Sequence, residues 1–233
     1  MEVKSKTIGI IGGMGPEATL DLCSRIIKHT PAQKDQDHIH LIIDNYPQIP
    51  DRTAFILGKG ENPLPYILKS VDLLVNCGVD ALCMPCNTAH YFVEDIRKHS
   101  STPFISIIES VLKEVRNNYS EVKNIGLLAT RGVIVGRVYH QVFENDGFKI
   151  VTPSESVEDV VMDVIYSVKA GTGREKVYDL QMCIDSLKEK GCELIIAGCT
   201  EIPILLPFVE LPVPVVDSTL SLAKEVVSFA FKK

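Results

Sequence analysis

Gly78-Val79-Asp80-Ala81-Leu82-Cys83-Met84-Pro85-Cys86 and Gly191-Cys192-Glu193-Leu194-Ile195-Ile196-Ala197-Gly198-Cys199 read as two copies of one unit. In each, a glycine and then an acidic residue open a short apolar run, and a cysteine falls eight positions after the glycine. Apolar runs this short, closed by glycine or proline, suit strands buried on both faces of a parallel sheet. Upstream, Ile8-Gly9-Ile10-Ile11 has its counterpart in Ile125-Gly126-Leu127-Leu128. A duplicated half brings its equivalent cysteines, Cys86 and Cys199, to a pseudo-twofold axis, where they face each other across whatever binds. Two thiols on opposite sides of one ligand suit removal of a proton from one face and its return on the other.

Working outward, strands and helices alternate. Thr7–Ile11 is a strand. Pro16 opens a helix to about His29, because a proline in the first turn loses no hydrogen bond. A strand over 38–45 precedes a polar loop over 46–60 that holds Asp51-Arg52-Thr53. Pro63 opens a helix to Cys77, Ala81–Pro85 is a strand and 88–99 is helical. Phe104–Ile107 begins the connection to the second half. There the pattern predicts strand 123–129, helix 133–145, strand 148–151, helices near 157–170 and 174–190, strands 193–197 and 213–216, and a terminal helix over 218–231. The expected class is α/β: two pseudosymmetric parallel-sheet α/β/α domains from a duplicated half, with the active site between them.

The chain has 233 residues, enough for two halves of roughly 100 residues each. Its formal charge of −6 argues against a nucleic-acid or anionic-membrane partner, since both need a basic stripe. No run approaches the ~20 apolar residues of a membrane span, and the first apolar segment is broken at once by Gly-Pro punctuation. The seven cysteines are odd in number and sit mostly in apolar runs, so reduced thiols in a cytoplasmic protein are expected.

Ligands of such sheets bind beyond the carboxyl ends of the strands. Cys86 and Cys199 fall there, as do Gly12–Gly15, Asn45 and Ala129-Thr130-Arg131-Gly132. Helix N-termini converging on that region suit a carboxylate and predict a thiol pKa below the ~8.5 of free cysteine. Cys23, Cys77, Cys83, Cys183 and Cys192 read as core residues. Gly12–Gly15 fits neither G-x-G-x-x-G nor a P-loop, which speaks against a nucleotide. Cys83 and Cys86 have C-x-x-C spacing, yet no second pair is spaced for zinc, so neither metal nor cofactor is expected. His90, one turn after Cys86, either steers a thiolate or packs; both readings stand.

Met84-Pro85-Cys86-Asn87-Thr88-Ala89-His90 and Gly198-Cys199-Thr200-Glu201-Ile202-Pro203 resemble the paired motifs of the aspartate/glutamate racemase superfamily. The stretches 8–16, Ile49-Pro50-Asp51-Arg52-Thr53 and Ile165-Tyr166-Ser167-Val168-Lys169-Ala170-Gly171 are most similar to the aspartate racemase branch. The resemblance spans essentially the whole chain. It implies a cofactor-independent racemase, commonly a homodimer, acting on an amino acid, here aspartate. It also implies that the C-terminal strand and helix return to the first domain, giving 1–103 with 213–233 as one domain and 104–212 as the other. Glutamate racemases carry an Asp-Ser pair where this chain has Gly12-Gly13-Met14, and related decarboxylases keep one of the two cysteines.

By the same resemblance Cys86 and Cys199 are the two bases, one thiolate and one thiol, exchanging roles with substrate configuration. Asn87, Thr88, Thr130 and Thr200, with backbone N–H groups near Gly13 and Met14, would hold the α-carboxylate and ammonium. Asn45 lies at the same strand end. Arg52 and Lys169 would bind the side-chain carboxylate, with Tyr166 assisting; the planar fork of Arg52 suits a carboxylate. A broad-specificity amino-acid racemase is the alternative within the family. A non-catalytic two-lobed amino-acid-binding protein is the alternative of another class.

Overall fold

The structure, a computed structural model, describes residues 5–232. The first half runs β1 (Ile8–Gly12), α1 (Pro16–His29), β2 (Leu41–Asn45), α2 (Arg52–Ile56), α3 (Leu64–Asn76), β3 (Ala81–Cys83), α4 (Val93–His99), β4 (Phe104–Ile105) and α5 (Ile107–Asn118). The second runs β5 (Asn124–Leu128), α6 (Arg131–Val135), α7 (His140–Glu144), β6 (Lys149–Val151), α8 (Glu155–Lys169), α9 (Val177–Glu189), β7 (Leu194–Ala197), α10 (Ile202–Leu205), β8 (Val215–Asp217) and α11 (Ser218–Phe231). Two four-stranded sheets result, ordered β2-β1-β3-β4 and β6-β5-β7-β8. Every pairing is parallel. The α/β class and the duplication are therefore as the sequence implies.

Alternation along each strand builds a shared centre and two outer layers. Ile8 and Ile10 of β1 face the same core as Ile125 and Leu127 of β5, together with α1, α5, α7 and α11. Ile11 and Leu82 face the opposite way, onto α3 and α4. Leu128 and Ile195 likewise cover α8 and α9. The two sheets thus sandwich a common helical layer, and the strand ends of both halves meet at one edge of it. No helix among the described residues is long and apolar enough to cross a membrane.

Two expectations about strand membership change. Phe104–Ile105 does not start the second half but closes the first sheet, pairing with β3. Val215–Asp217 does not return to the first sheet; it pairs with β7 and closes the second. Each is the strand after a motif cysteine, and a helix-containing crossover delivers each to the same edge of its sheet. Only the helix crosses over: α11 packs on α1 of the first half as well as on its own counterpart α5.

Local differences have local causes. The loop over 46–60 contains α2, because Asp51 caps it, its side chain accepting from Ala54 N at 2.7 Å. The single helix expected over 133–145 is two, divided near Arg137, whose φ is 50°. Gly136 there lies against Tyr91, so closely that a Cβ would meet the ring at 2.9 Å. Residues 88–92 form a 3-10 turn ahead of α4. Cys77 caps the end of α3 and is exposed, whereas Cys23, Cys83, Cys183 and Cys192 are buried as expected.

Candidate active site

Cys86 lies three residues past β3 and Cys199 two past β7, at equivalent strand ends. They are 5% and 6% exposed, and both line one small chamber. The first half supplies Met14, Asp51, Arg52, Thr53, Cys86, Asn87 and Thr88 to that chamber. The second supplies Thr130, Lys169, Cys199, Thr200 and Glu201. Its free volume is about 10 Å³, too small for an amino acid. In front of it, sharing Asp51, Arg52, Lys169, Thr200 and Glu201, opens a cleft of about 630 Å³.

Nine of the residues singled out in the sequence therefore meet in the chamber: Met14, Arg52, Cys86, Asn87, Thr88, Thr130, Lys169, Cys199 and Thr200. Gly13 and Tyr166 line the outer cleft. The N–H of Gly13 donates to Thr19 Oγ1 at 3.0 Å, so it does not point a free donor at the cleft. With φ at +88°, a Cβ at Gly13 would collide with the Tyr46 backbone, which explains glycine there. Asn45 lines neither space. It ends the edge strand β2 and is exposed, because the sheet order puts β1 between it and Cys86.

Neither cation of the chamber is paired with a carboxylate among the described residues; Arg52 is buried, whereas Lys169, which lines both the chamber and the cleft, is exposed. Arg52 is 9% exposed; its guanidinium donates to Ile49 O and Pro50 O at 3.1 Å and to Met14 O at 3.4 Å, while Nε has no partner. Among the described residues neither Arg52 nor Lys169 lies within ion-pair distance of a carboxylate. A buried cation is rare unless paired, so Arg52 marks a place for an anion, with the Lys169 ammonium at the same chamber. Desolvation works to lower the Lys169 ammonium, but the negative charge available at Cys199, Glu201 and Cys86 outweighs it and holds the group above its usual range.

Hydroxyls complete the lining. Thr88 Oγ1 and Thr130 Oγ1 are hydrogen-bonded at 2.9 Å across the two halves. Thr130 also caps α6, accepting from Val133 N. Asn87 is tied back on both sides: Tyr139 Oη donates to its Oδ1 at 2.6 Å and its Nδ2 donates to Ser218 Oγ at 3.1 Å. Ser218 in turn donates to Ala197 O at 2.8 Å.

Two outcomes could not be read from residue types. His90 does not address a thiol. Its Nε2 accepts from Ile107 N at 3.0 Å, which leaves Nδ1 to donate to Cys86 O at 2.8 Å. Burial lowers its pKa to about 4, so the ring is a neutral clamp between the Cys86 turn and the start of α5. The second is Glu201, which sequence reading left without a role. Its Oε2 accepts from Cys199 Sγ at 2.8 Å and from Thr200 Oγ1 at 3.2 Å. Burial, and after it this carboxylate, push the Cys199 thiol well above its ordinary value, with Lys169 opposing. That is the reverse of the depressed thiol expected near helix N-termini. The available signal was an acidic residue two positions after a motif cysteine, in an otherwise uncharged stretch. Among the described residues no group of three or more His, Cys, Asp or Glu side chains is arranged to hold a metal ion.

Comparison with known proteins bears directly on this arrangement. Residues 11–226 match the profile of the family described as Asp/Glu/Hydantoin racemase. The chain is 26% identical over 231 residues to a broad specificity amino-acid racemase, RacX, of Bacillus subtilis, covering 95% of this chain and 96% of that one. It is 27% identical over 199 residues to a glutamate racemase of Corynebacterium glutamicum, covering 77% and 70% of the two chains. Among solved structures, an aspartate racemase of Picrophilus torridus superposes with a TM-score of 0.84 at 28% identity, over 98% of this chain and 95% of that one. A glutamate racemase of Francisella tularensis, in complex with D-glutamate, shares the fold with a TM-score of 0.70 at 18% identity, over 98% and 82%. The duplicated α/β halves, the two thiols in one chamber and a match over nearly the whole chain converge: this protein belongs to the Asp/Glu/Hydantoin racemase family and is an isomerase acting on amino acids.

Proposed function

We propose that the protein interconverts L- and D-aspartate, without a cofactor, by a two-base thiol/thiolate mechanism using Cys86 and Cys199. The observation that carries this reading is that both thiols line one chamber with two cations that have no carboxylate partner among the described residues, the buried Arg52 and the exposed Lys169. One thiolate takes the Cα proton from its face; the other thiol returns a proton to the opposite face. The negative charge that develops on Cα and the α-carboxylate needs donors already in place, and the Thr88–Thr130 hydroxyl pair and Thr200 stand there. Asn87 can add its second Nδ2 hydrogen. Arg52 and Lys169 hold the distal carboxylate, with Tyr166 at the mouth of the cleft. On substrate entry from the outer cleft, Arg52 exchanges its carbonyl partners for the incoming carboxylate.

A second reading within the family is broad specificity. Glu201 places a negative charge in the same chamber beside Lys169, which lessens the need for a second carboxylate on the substrate. The Bacillus subtilis relative bears that description. The resemblance to the family also supports a homodimer, and seven unpaired thiols suit the reducing cytoplasm. The deciding experiment is a panel of L-amino acids in deuterated water, scored for Cα deuterium and D-product. Aspartate should exceed glutamate and neutral amino acids. Comparable exchange across the panel would favour broad specificity, and no exchange with any of them would leave a binding protein.

A further inference from the structure

Cys86 and Cys199 are equivalent by duplication, but their surroundings are not. Glu201 is a buried carboxylate, 6% exposed, and its Oε2 stands 2.8 Å from Cys199 Sγ. Among the described residues no carboxylate is hydrogen-bonded to Cys86; the other acid of the chamber, Asp51, is exposed and spent on capping α2. Ionising Cys199 would set two negative charges at hydrogen-bond distance, both on buried side chains, whereas a protonated Cys199 makes a charge-assisted hydrogen bond.

We propose that Glu201 is a positioning residue that keeps the shared proton on Cys199 in the free enzyme, so that the resting site is loaded for the enantiomer whose Cα hydrogen faces Cys86. The proposal rests on the two-thiol reading above. The groups facing Cys199 are Glu201 from its own loop, Lys169 and Tyr166 from α8, Arg52 and Asp51 at the start of α2, Cys86 beyond β3, and Tyr139 ahead of α7. The cations Lys169 and Arg52 line the chamber with both thiols and favour a thiolate at either. Glu201 alone is hydrogen-bonded to one thiol and breaks the tie. In the loaded direction the Cα–H bond breaks, its proton joins Cys86 sulfur, and the electron pair stays on the substrate. The Cys199 S–H bond then breaks and its proton forms the new Cα–H bond on the far face. Cys199 is left as a thiolate beside Glu201, a pairing relieved when solvent returns a proton to Cys199 and takes one from Cys86.

L- and D-aspartate have equal free energy, so the ratio of their kcat/KM values is unity however the proton is distributed. An irreversible half-reaction escapes that constraint. With 3-chloroaspartate one thiolate removes the Cα proton, chloride leaves Cβ, and the enamine is hydrolysed to oxaloacetate and ammonium. The wild-type enzyme should eliminate faster from the enantiomer that Cys199→Ser still accepts. Glu201→Gln, which keeps the shape and removes the charge, should raise the share of the other enantiomer by about tenfold or more. An unchanged ratio would overturn the proposal.

Alkylation by iodoacetamide across pH, read site by site by peptide mass spectrometry, tests the protonation directly. In Glu201→Gln the Cys199 profile should move to lower pH, while the alkylation rate at exposed Cys77 is unchanged as control. Should that variant fail to fold, the wild-type protein still decides: at neutral pH iodoacetamide must modify Cys86 before Cys199, and the opposite order sinks the idea. Absence of Cα exchange would defeat the racemase reading separately, since the order of alkylation does not depend on it.

Discussion

Asn87 and Ser218 are joined by a hydrogen bond of 3.1 Å across 131 positions of the chain. Asn87 adjoins Cys86, and Ser218 donates onward to Ala197, two residues before Cys199. With Tyr139 on the other side of Asn87, this buried chain of bonds spans the strand ends that carry the two thiols.

Ser218→Ala leaves the Asn87 amide and the Ala197 carbonyl without a buried partner. A loss of about 1–3 kcal/mol in stability is expected, measured by urea unfolding. Tyr139→Phe should cost a similar amount by stranding Asn87 Oδ1. If the network sets the spacing of the thiols, kcat should fall in both variants with KM little changed. A rise in KM alone would assign Asn87 chiefly to substrate binding.

Cys86→Ser and Cys199→Ser should each lower racemisation by roughly 10²–10⁴-fold, because a serine hydroxyl is not ionised near neutral pH. In elimination from 3-chloroaspartate the two variants should accept opposite enantiomers. The same preference in both would mean that the thiols do not face opposite sides of Cα. Serine at Cys77, which is exposed, should leave the rate as it is.

Arg52→Ala should reduce kcat/KM for aspartate by about tenfold or more, the worth of one charged hydrogen-bond pair, and far less for alanine. Arg52→Lys keeps the charge but loses the fork, and should recover only part of the activity. Equal losses on both substrates would assign the guanidinium to holding Ile49, Pro50 and Met14 in place.

His90 should make the fold acid-sensitive. Its pKa is about 4 in the folded chain against about 6.5 when unfolded, so the unfolded state binds more protons between those values. Its contribution is thus intact above pH 6.5 and is lost as pH falls toward 4, by about 3 kcal/mol in all. His90→Asn should be less stable at pH 7, having lost one clamp, yet show a shallower decline over that window. A parallel decline in the two proteins would place the acid sensitivity elsewhere, with His140, also lowered by burial, the next candidate.

Much of the molecule was legible from order along the chain. Short apolar runs punctuated by glycine and proline define parallel strands, and repetition of one unit predicts two alike sheets. The family resemblance, not the pattern, picked out Arg52, Asn87, Thr88, Lys169 and Thr200; Cys86 and Cys199, with Met14 and Thr130, followed from strand ends, where such sheets bind ligands. The latter four are consequences of local pattern and of symmetry, which a sequence carries in full. What needed the tertiary structure were pairings between side chains brought together only by folding. The strand over 215–217 could have closed either sheet, since edge strands carry little side-chain pattern of their own; the connection from β7 decided it. His90 became a clamp because Ile107 N arrives beside it, and Asn87 a bridge because Ser218 does. Cys199 differs from its twin because the chamber buries Glu201 with it, and away from bulk solvent a carboxylate at 2.8 Å keeps the proton on sulfur.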